Sequence, residues 1–285
     1  MRKIIERLLV FFIGIPAVVA IVLLLPFYKN LTLNIVVIFF SGMGAVEFSS
    51  MLEKKLIKIP KVESFILGAT APLAITLNIS FCLPEWIIPL MIMTGLGWTL
   101  MSRMFSRSTE IETIINKIIC SFSLLVYPGF FMFWLIKMSS WEKPEAVLLF
   151  LIIAFANDSA AWFFGTLFGK NNKGIIAVSP NKSIAGYIGG LFGSVIIAIG
   201  AVLFFPYQFF SVSDYTAIFH LAIILALCTG ITASLGDLAE SAIKRSCGFV
   251  DSGKSMLGRG GVLDSIDSLA VAAPVYYLLF SYFFQ

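Results

Sequence analysis

Nine apolar runs separated by short polar breaks account for most of this chain of 285 residues. A helix needs about 20 apolar residues to cross the hydrocarbon core of a bilayer, and the runs come close to that length. A helix also satisfies its backbone polar groups internally, as a segment inside lipid requires. The runs cover residues 8–25, 31–51, 64–81, 86–101, 114–136, 146–168, 184–205, 217–235 and 267–284. We therefore expect an all-α polytopic integral membrane protein with about nine transmembrane helices.

The composition excludes several other classes of protein. Hydrophobic residues make up 59% of the chain and charged residues 13%, against roughly 45–50% and about 25% in soluble domains. These figures rule out a soluble globule, a disordered chain and a disulfide-rich secreted scaffold. The net charge of +4 is too small to indicate nucleic-acid binding. The four cysteines show no C-x-x-C spacing, so we expect buried thiols.

The positive charges predict the orientation. If the amino terminus is cytoplasmic, all of the 20 Lys and Arg residues except Lys29, Lys137 and Lys143 fall on the cytoplasmic side. This bias follows the positive-inside rule. We expect a cytoplasmic amino terminus, an outer carboxyl terminus and, in a bacterium, a place in the inner membrane.

Polar side chains are distributed unevenly between the two halves. Before Lys143 the acidic residues look peripheral, apart from Glu47, whereas after Ala146 polar groups enter the apolar runs. We therefore expect residues 1–145 to form a scaffold of five helices with dimer contacts. Residues 146–285 are expected to hold catalytic helices six to nine and a cytoplasmic loop, 236–266.

Asn157 and Asp158 lie in the middle of the sixth run. A charged carboxylate at the bilayer centre costs at least about 2.5–3.5 kcal/mol, so such residues usually face a water-filled cavity or a partner. We interpret the pair as functional. Gly165 and Gly169 are four residues apart, and close helix packing is the favoured interpretation for them.

The segment from Ser179 to Ser183 opens the seventh run. Lys182 and Ser183 are predicted at a helix amino terminus, where unpaired N–H groups attract anions. A phosphate site and a plain serine cap with an interfacial lysine fit this segment equally well.

Acidic and basic residues are concentrated between residues 236 and 268. Asp237, Glu240, Ser241 and Lys244 have the spacing of one helical face. Asp264 and Asp267 repeat the i, i+3 spacing at the start of the last run. Two acidic faces joined by a glycine-rich loop are a candidate site for Mg²⁺, which prefers carboxylate and phosphate oxygens.

Residues 248–255 satisfy the P-loop pattern G-x-x-x-x-G-K-[ST]. A true P-loop follows a buried strand and opens a helix. Here a charged, helical stretch comes before it and further glycines come after it, so we reject an ATPase fold and keep Lys254 as a phosphate contact. His220 is the sole histidine, which disfavours histidine metal sites and Ser–His–Asp hydrolysis.

Several motifs together resemble the phosphatidate cytidylyltransferases (CDP-diacylglycerol synthases). They are Asn157-Asp158 with Gly165 and Gly169, the segment 179–183 with Gly186, GDLAESAIKR at 236–245, DSG at 251–253, Gly260-Gly261 and DSIDS at 264–268. Where the family usually has Lys, His and Arg, this chain has Val250, Arg259 and Ser265.

The resemblance implies an activity and a set of site residues. The activity is Mg²⁺-dependent transfer of CMP from CTP to phosphatidate, giving CDP-diacylglycerol and pyrophosphate, by a homodimer whose site faces the cytoplasm. Asp237 and Asp264 are implied to hold metal in a two-cation site, the second cation being a candidate monovalent ion. The implied catalytic residues are Asp237, Asp251, Asp264, Lys244 and Arg245, and the implied substrate-binding residues are Asn157, Asp158, Ser179, Lys182, Ser183, Glu240, Ser241, Lys254, Arg259, Gly260, Gly261 and Asp267.

Two alternatives stay open at this point. A secondary transporter would place its ion or substrate site at Asn157 and Asp158. A CTP-dependent lipid-alcohol kinase would need a general base for its un-ionised acceptor, for which Asp158 and Asp251 are candidates.

Overall fold

The regular secondary structure is all helical in the residues that the structure, a computed structural model, describes: 15–25, 27–104, 113–141, 143, 145–174, 176–210, 215–256 and 260–284. Within these ranges two isolated β-bridges occur and no strand. The helices are α1 Ile15–Leu24, α2 Phe27–Leu52, α3 Lys61–Phe81, α4 Ile87–Met104, α5 Ile114–Leu124, α6 Phe131–Lys137, α7 Glu145–Phe168, α8 Ile184–Phe204, α9 Pro206–Phe209, α10 Tyr215–Ser246 and α11 Leu263–Phe284.

Seven stretches of helix in the described ranges are long and apolar enough to cross a membrane, which confirms the class of integral membrane protein. They are Phe27–Leu52, Lys61–Phe81, Ile114–Ser140, Glu145–Phe168, Ile184–Phe204, Thr216–Ser246 and Leu263–Phe284. Of the other two predicted runs, 8–25 lies partly outside the described residues. The run at 86–101 forms α4, whose apolar part, Ile87–Ser102, is shorter than the seven. The total of nine and the orientation stay predictions.

The helices differ from the apolar runs in two informative places. Helix α10 continues to Ser246, eleven residues past the predicted end of its apolar run at Leu235, so the acidic stretch 237–244 is helical, as its spacing predicted. The span Ile114–Ser140 contains a π-helical turn, Leu125–Phe130, between α5 and α6. Pro128 lies in this turn, and a proline removes one backbone donor and disrupts regular helical hydrogen bonding.

The described part of the chain forms two compact units. The first comprises Met1–Ser140 with Ser246–Ile266, and the second Trp141–Arg245 with Asp267–Gln285. The segment 246–266, which the sequence assigned to the carboxyl-terminal half, thus belongs to the same unit as the amino-terminal helices.

Close packing of α2 against α3 organises the first unit. A Cβ on Gly68 would collide with Ala45, so the two helices approach at a position where only glycine fits. Ser41 Oγ lies 2.7 Å from the carbonyl oxygens of Gly68 and Pro128. One buried hydroxyl therefore links α2 both to α3 and to the π-helical turn.

Close packing of α7 against α8 organises the second unit. Gly186, Gly189, Gly190 and Gly193 of α8 face α7 so closely that a Cβ on any of them would lie 3.0 Å or less from an α7 atom. A cluster of aromatic rings surrounds Tyr276 of α11, whose hydroxyl donates to the Ala146 carbonyl at 2.9 Å. These contacts fix α7, α8 and α11 around the polar residues described next.

Candidate active site

A cavity of about 420 Å³ opens in the second unit beside the carboxyl-terminal half of α7. Cavities of about 300–1,000 Å³ are typical of small-molecule sites. Five residues nominated from the sequence line it together. The complete lining is Asn157, Asp158, Ala161, Trp162, Gly165, Thr166, Lys173, Asn181, Lys182, Ser183, Gly186, Tyr187, Ser234 and Asp237.

An ion pair joins two of these residues across 55 positions of sequence. The Lys182 ammonium contacts Asp237 Oδ2, and Ser241 Oγ donates to Asp237 Oδ1 at 3.4 Å. The side chains of Lys182 and Asp237 are 28% and 33% exposed, so both reach the cavity surface. The cavity surface therefore carries an ammonium group, of the kind that can bind phosphate, next to a carboxylate, of the kind that can bind a metal ion.

Ser183 caps the amino terminus of α8, which was one of the two alternatives left open by the sequence. Its Oγ accepts a hydrogen bond from the Gly186 N–H at 3.1 Å. A Cβ on Gly165 or on Gly169 would press against Ser183 Oγ, so these two glycines serve packing, which confirms that interpretation. Ser179 lies one turn earlier, where its carbonyl accepts from the Lys182 N–H at 3.1 Å, and it is outside the lining given above.

Asn157 holds three helices of the second unit together. It is 1% exposed, its Nδ2 donates to Ser234 Oγ of α10 at 3.1 Å, and its Oδ1 lies 3.5 Å from Ser194 Oγ of α8. Asp158 follows it on the cavity wall. Asn157 and Asp158 therefore line a polar cavity although they belong to an apolar run. This was expected, because a carboxylate exposed to lipid is energetically costly.

Further carboxylates gather next to Asp237. Glu240 is fully buried and forms an ion pair with Lys244, one turn along α10. A Cβ on Gly236 would lie 2.5 Å from the Asp267 carbonyl oxygen, so a glycine at 236 lets α10 approach α11 there. The carboxylates of Asp158, Asp237 and Glu240 are close enough to that of Asp267 to interact with it electrostatically.

The carboxylate of Asp264, in the first unit, is bound by the loop that precedes α11. Asp264 Oδ2 accepts from the Ser252 N–H at 2.9 Å, from Ser252 Oγ at 2.8 Å and from the Gly261 N–H at 2.7 Å. Gly260 has φ +99°, and a Cβ there would lie 2.7 Å from Asp264 Oδ2. The loop thus needs glycine at position 260 both for its backbone angle and for the space beside the carboxylate.

Glu47 belongs to the same cluster, although the sequence analysis assigned it no role. Its Oε2 accepts from the Leu263 N–H at 2.9 Å and lies 3.0 Å from Ser252 Oγ. The one signal in the sequence was its position, since Glu47 is an acid inside an apolar run of the amino-terminal half. Tyr187, which lines the cavity, was also missed, because a tyrosine in an apolar helix carries no distinguishing pattern.

The remaining nominated residues lie on the surface or outside the described ranges. Arg245, Asp251 and Lys254 are exposed, and Arg259 lies outside the described residues. The segment 248–255 follows helix α10 and leads into loop, so its context differs from that of a P-loop, as expected.

The residues expected to bind Mg²⁺ have suitable donor atoms, both around Asp237 and around Asp264. Asp237 and Asp264 carry carboxylate oxygens, the ligands that Mg²⁺ prefers. Around Asp237, other carboxylates lie close by, and Lys182 forms an ion pair with Asp237 itself. Within the part of the chain that the structure describes, no three His, Cys, Asp or Glu side chains are already arranged to hold a metal ion. Since Asp237 and Asp264 belong to different compact units, a cation group shared by the two stays a prediction.

Comparison with known proteins identifies the family. The sequence model described as the cytidylyltransferase family matches residues 5–283. The phosphatidate cytidylyltransferase of Staphylococcus saprophyticus is 31% identical over 155 residues, which cover 54% of this chain and 56% of that protein. The protein of the same name from Thermotoga maritima is 35% identical over 171 residues, covering 58% and 60%. That from Staphylococcus haemolyticus is 36% identical over 133 residues, covering 47% and 48%. The matched segments thus span about half to three fifths of these relatives. Because the family model matches nearly the whole chain, the chain belongs to the cytidylyltransferase family.

Proposed function

We propose that the protein is a phosphatidate cytidylyltransferase, which transfers CMP from CTP to phosphatidate and releases pyrophosphate. The observation that carries the proposal is the cavity where Lys182, Asp237 and the capped amino terminus of α8 meet inside a bundle of apolar helices. The family and the printed names of the relatives support the same reaction.

The proposed reaction is a phosphoryl-type substitution at the α-phosphorus of CTP. An oxygen of the phosphatidate phosphate forms a new bond to that phosphorus. The bond from the α-phosphorus to the oxygen that bridges to the β-phosphate breaks, and pyrophosphate leaves with the electron pair. The second pKa of a phosphate monoester is about 6, so the nucleophile is already ionised at neutral pH and needs no protein base.

The residues of the cavity are suited to bind phosphate oxygens. Lys173 and Lys182 line it, and the amino terminus of α8 supplies backbone N–H groups and the positive end of a helix dipole. The buried Tyr187 hydroxyl, on the same wall, makes no hydrogen bond within the described residues. A buried hydroxyl without a partner is costly, and a bound phosphate would accept a hydrogen bond from it.

Asp237 and Asp264 are the carboxylates we propose to hold Mg²⁺, with a second cation beside it. When bound, these ions neutralise the charge of the triphosphate and of the leaving pyrophosphate. We further propose that the enzyme works as a homodimer in a bacterial inner membrane with its site facing the cytoplasm, where CTP is present.

Purified protein with CTP labelled at the α-phosphate, phosphatidate and Mg²⁺ tests the proposal. We expect the label in a lipid product, and we expect Asp237→Asn and Asp264→Asn to lower its formation at least about 100-fold, because both remove a charge that the transition state requires. Glu85→Gln is the matched control, since Glu85 is an exposed acid in the loop after α3.

Two results would contradict the proposal. Transfer of label from the γ-phosphate to a lipid alcohol, with release of CDP, would identify a kinase. Counterflow of a solute in liposomes without CTP turnover would identify a transporter. Full activity in both aspartate variants would overturn the assignment of the two carboxylates.

A further inference from the structure

Glu47 is an acid in the middle of a candidate membrane span, far in sequence from every nominated residue. It is 7% exposed, although it lies in α2 among helices rich in apolar side chains. Burying a carboxylate is costly unless it is bound by donors. The groups that donate hydrogen bonds to the Glu47 carboxylate therefore indicate the role of this residue.

Within the described residues, the polar contacts of Glu47 come from the loop that binds Asp264 and from the start of α11. Glu47 Oε2 accepts the Leu263 N–H, one of the amides at a helix amino terminus that have no partner within the helix. Ser252 Oγ lies 3.0 Å from Glu47 Oε2 and 2.8 Å from Asp264 Oδ2. A single serine side chain thus connects the two carboxylates.

The shape of the loop is fitted to the Glu47 side chain. A Cβ on Gly253 would collide with Glu47 Oε1, and a Cβ on Gly261 would collide with Glu47 Oε2 and Ser252 Oγ. One turn earlier on the same face of α2, a Cβ on Gly44 would lie 3.1 Å from Ile266 of α11. Two glycines and a serine of the loop therefore enclose the carboxylate group, while Gly44 of α2 leaves room for the first turn of α11.

We infer that Glu47 is a positioning residue that fixes the described parts of the loop before α11, 252–256 and 260–262, and through Ser252 the carboxylate of Asp264, in the orientation needed to bind a cation. The inference rests on the proposed function only where it gives Asp264 its role. The positioning itself is a property of the first unit and is measured without turnover.

The role requires an oxygen acceptor at position 47, and Oε1 makes no hydrogen bond within the described residues. Glutamine keeps the acceptor and fits the same space, whereas alanine removes it. In the intact protein we expect Glu47→Ala to raise amide exchange across residues 252–256 and 260–263 about tenfold, the effect of losing a buried hydrogen bond. Glu47→Gln should retain the protection, and Glu53→Gln, which changes an exposed acid just past the same helix, should change nothing.

The same variants are then compared by the Mg²⁺ concentration that gives half-maximal CDP-diacylglycerol formation. Glu47→Ala should raise it about tenfold or more, within the range measured when the support of a metal ligand is removed, and Glu47→Gln should restore it. Wild-type exchange in Glu47→Ala, or a Glu47→Gln protein as impaired as Glu47→Ala, would overturn the inference. If the wild-type protein makes no CDP-diacylglycerol but the exchange results hold, the proposed function fails and the positioning role stands.

A second pair of variants tests the link if Glu47→Ala does not fold. Ser252→Ala removes the hydroxyl between the two carboxylates, while Ser255→Ala removes an exposed hydroxyl three residues further on. We expect raised exchange and a raised Mg²⁺ requirement in Ser252→Ala alone. Equal behaviour of the two serine variants would overturn the inference.

Discussion

Lys244 and Glu240 show how single charged side chains are accommodated inside this protein. Glu240 is fully buried and Lys244 is 8% exposed, and the two form an ion pair one turn apart on α10. The next residue, Arg245, is exposed. Two neighbouring cations on one helix therefore occupy opposite environments, and only the buried one is expected to affect the free energy of unfolding strongly.

We expect Lys244→Met to lower the free energy of unfolding by about 3–5 kcal/mol, because it leaves the Glu240 carboxylate buried without the ammonium that balances it. Arg245→Met should change it by less than about 0.5 kcal/mol. Denaturation of the purified protein in detergent measures both effects. We measure stability and not activity because the family resemblance implies a catalytic role for both residues, so a loss of activity would not distinguish them.

The double variant Glu240→Gln with Lys244→Met provides the control. Replacing a buried ion pair by neutral groups is often tolerated, so most of the lost stability should return. Equal losses in Lys244→Met and Arg245→Met would contradict the interpretation of Lys244 as the buried partner of Glu240.

At the level of helices, the interface between α7 and α8 depends on glycine at specific positions. A Cβ on Gly193 would lie 2.6 Å from Ala160 Cβ and 3.0 Å from the Ala156 carbonyl oxygen, whereas a Cβ on Gly200 would have nothing within 4 Å. The same substitution is therefore expected to have opposite effects at two positions of one helix.

Gly193→Ala should lower the free energy of unfolding by about 1–3 kcal/mol, since the added methyl group forces α7 and α8 apart. Gly200→Ala should raise it by up to about 1 kcal/mol, because alanine favours a helix more than glycine does. Thermal unfolding of the two variants in one detergent is the measurement. If Gly200→Ala lost as much stability as Gly193→Ala, the predicted difference in packing between positions 193 and 200 would be wrong.

Hydropathy predicted where most helices lie but not how they end or bend. Helix α10 continues past Leu235 because helical hydrogen bonds persist after the apolar run stops, and only the spacing of Asp237, Glu240 and Lys244 indicated this. The π-helical turn at Leu125–Phe130 has no counterpart in the pattern of apolar residues. Backbone hydrogen bonding and side-chain hydropathy are separate properties, so one does not determine the other in detail.

Across the chain as a whole, the sequence indicated candidate polar side chains but not which of them are in contact. Lys182 meets Asp237 across 55 positions and Glu47 meets Ser252 across 205, and a single sequence contains no signal for such contacts. The distribution of Lys and Arg, in contrast, is a property of the complete chain, and it predicts an orientation that the folded structure alone does not reveal.

That orientation places the loop after α3 outside and the loop after α2 in the cytoplasm. Cys82 lies in the former and is exposed, so the expectation of a buried thiol was wrong for this cysteine, and Lys55 is exposed in the latter. In right-side-out membrane vesicles we expect a membrane-impermeant maleimide to label Cys82, and Cys82→Ser to remove the label. A cysteine introduced by Lys55→Cys in that background should react only after the membrane is permeabilised. Labelling of the introduced cysteine in sealed vesicles would reverse the predicted topology. It would also place the loop before α11, which the same charge distribution assigns to the cytoplasm, on the side opposite to CTP.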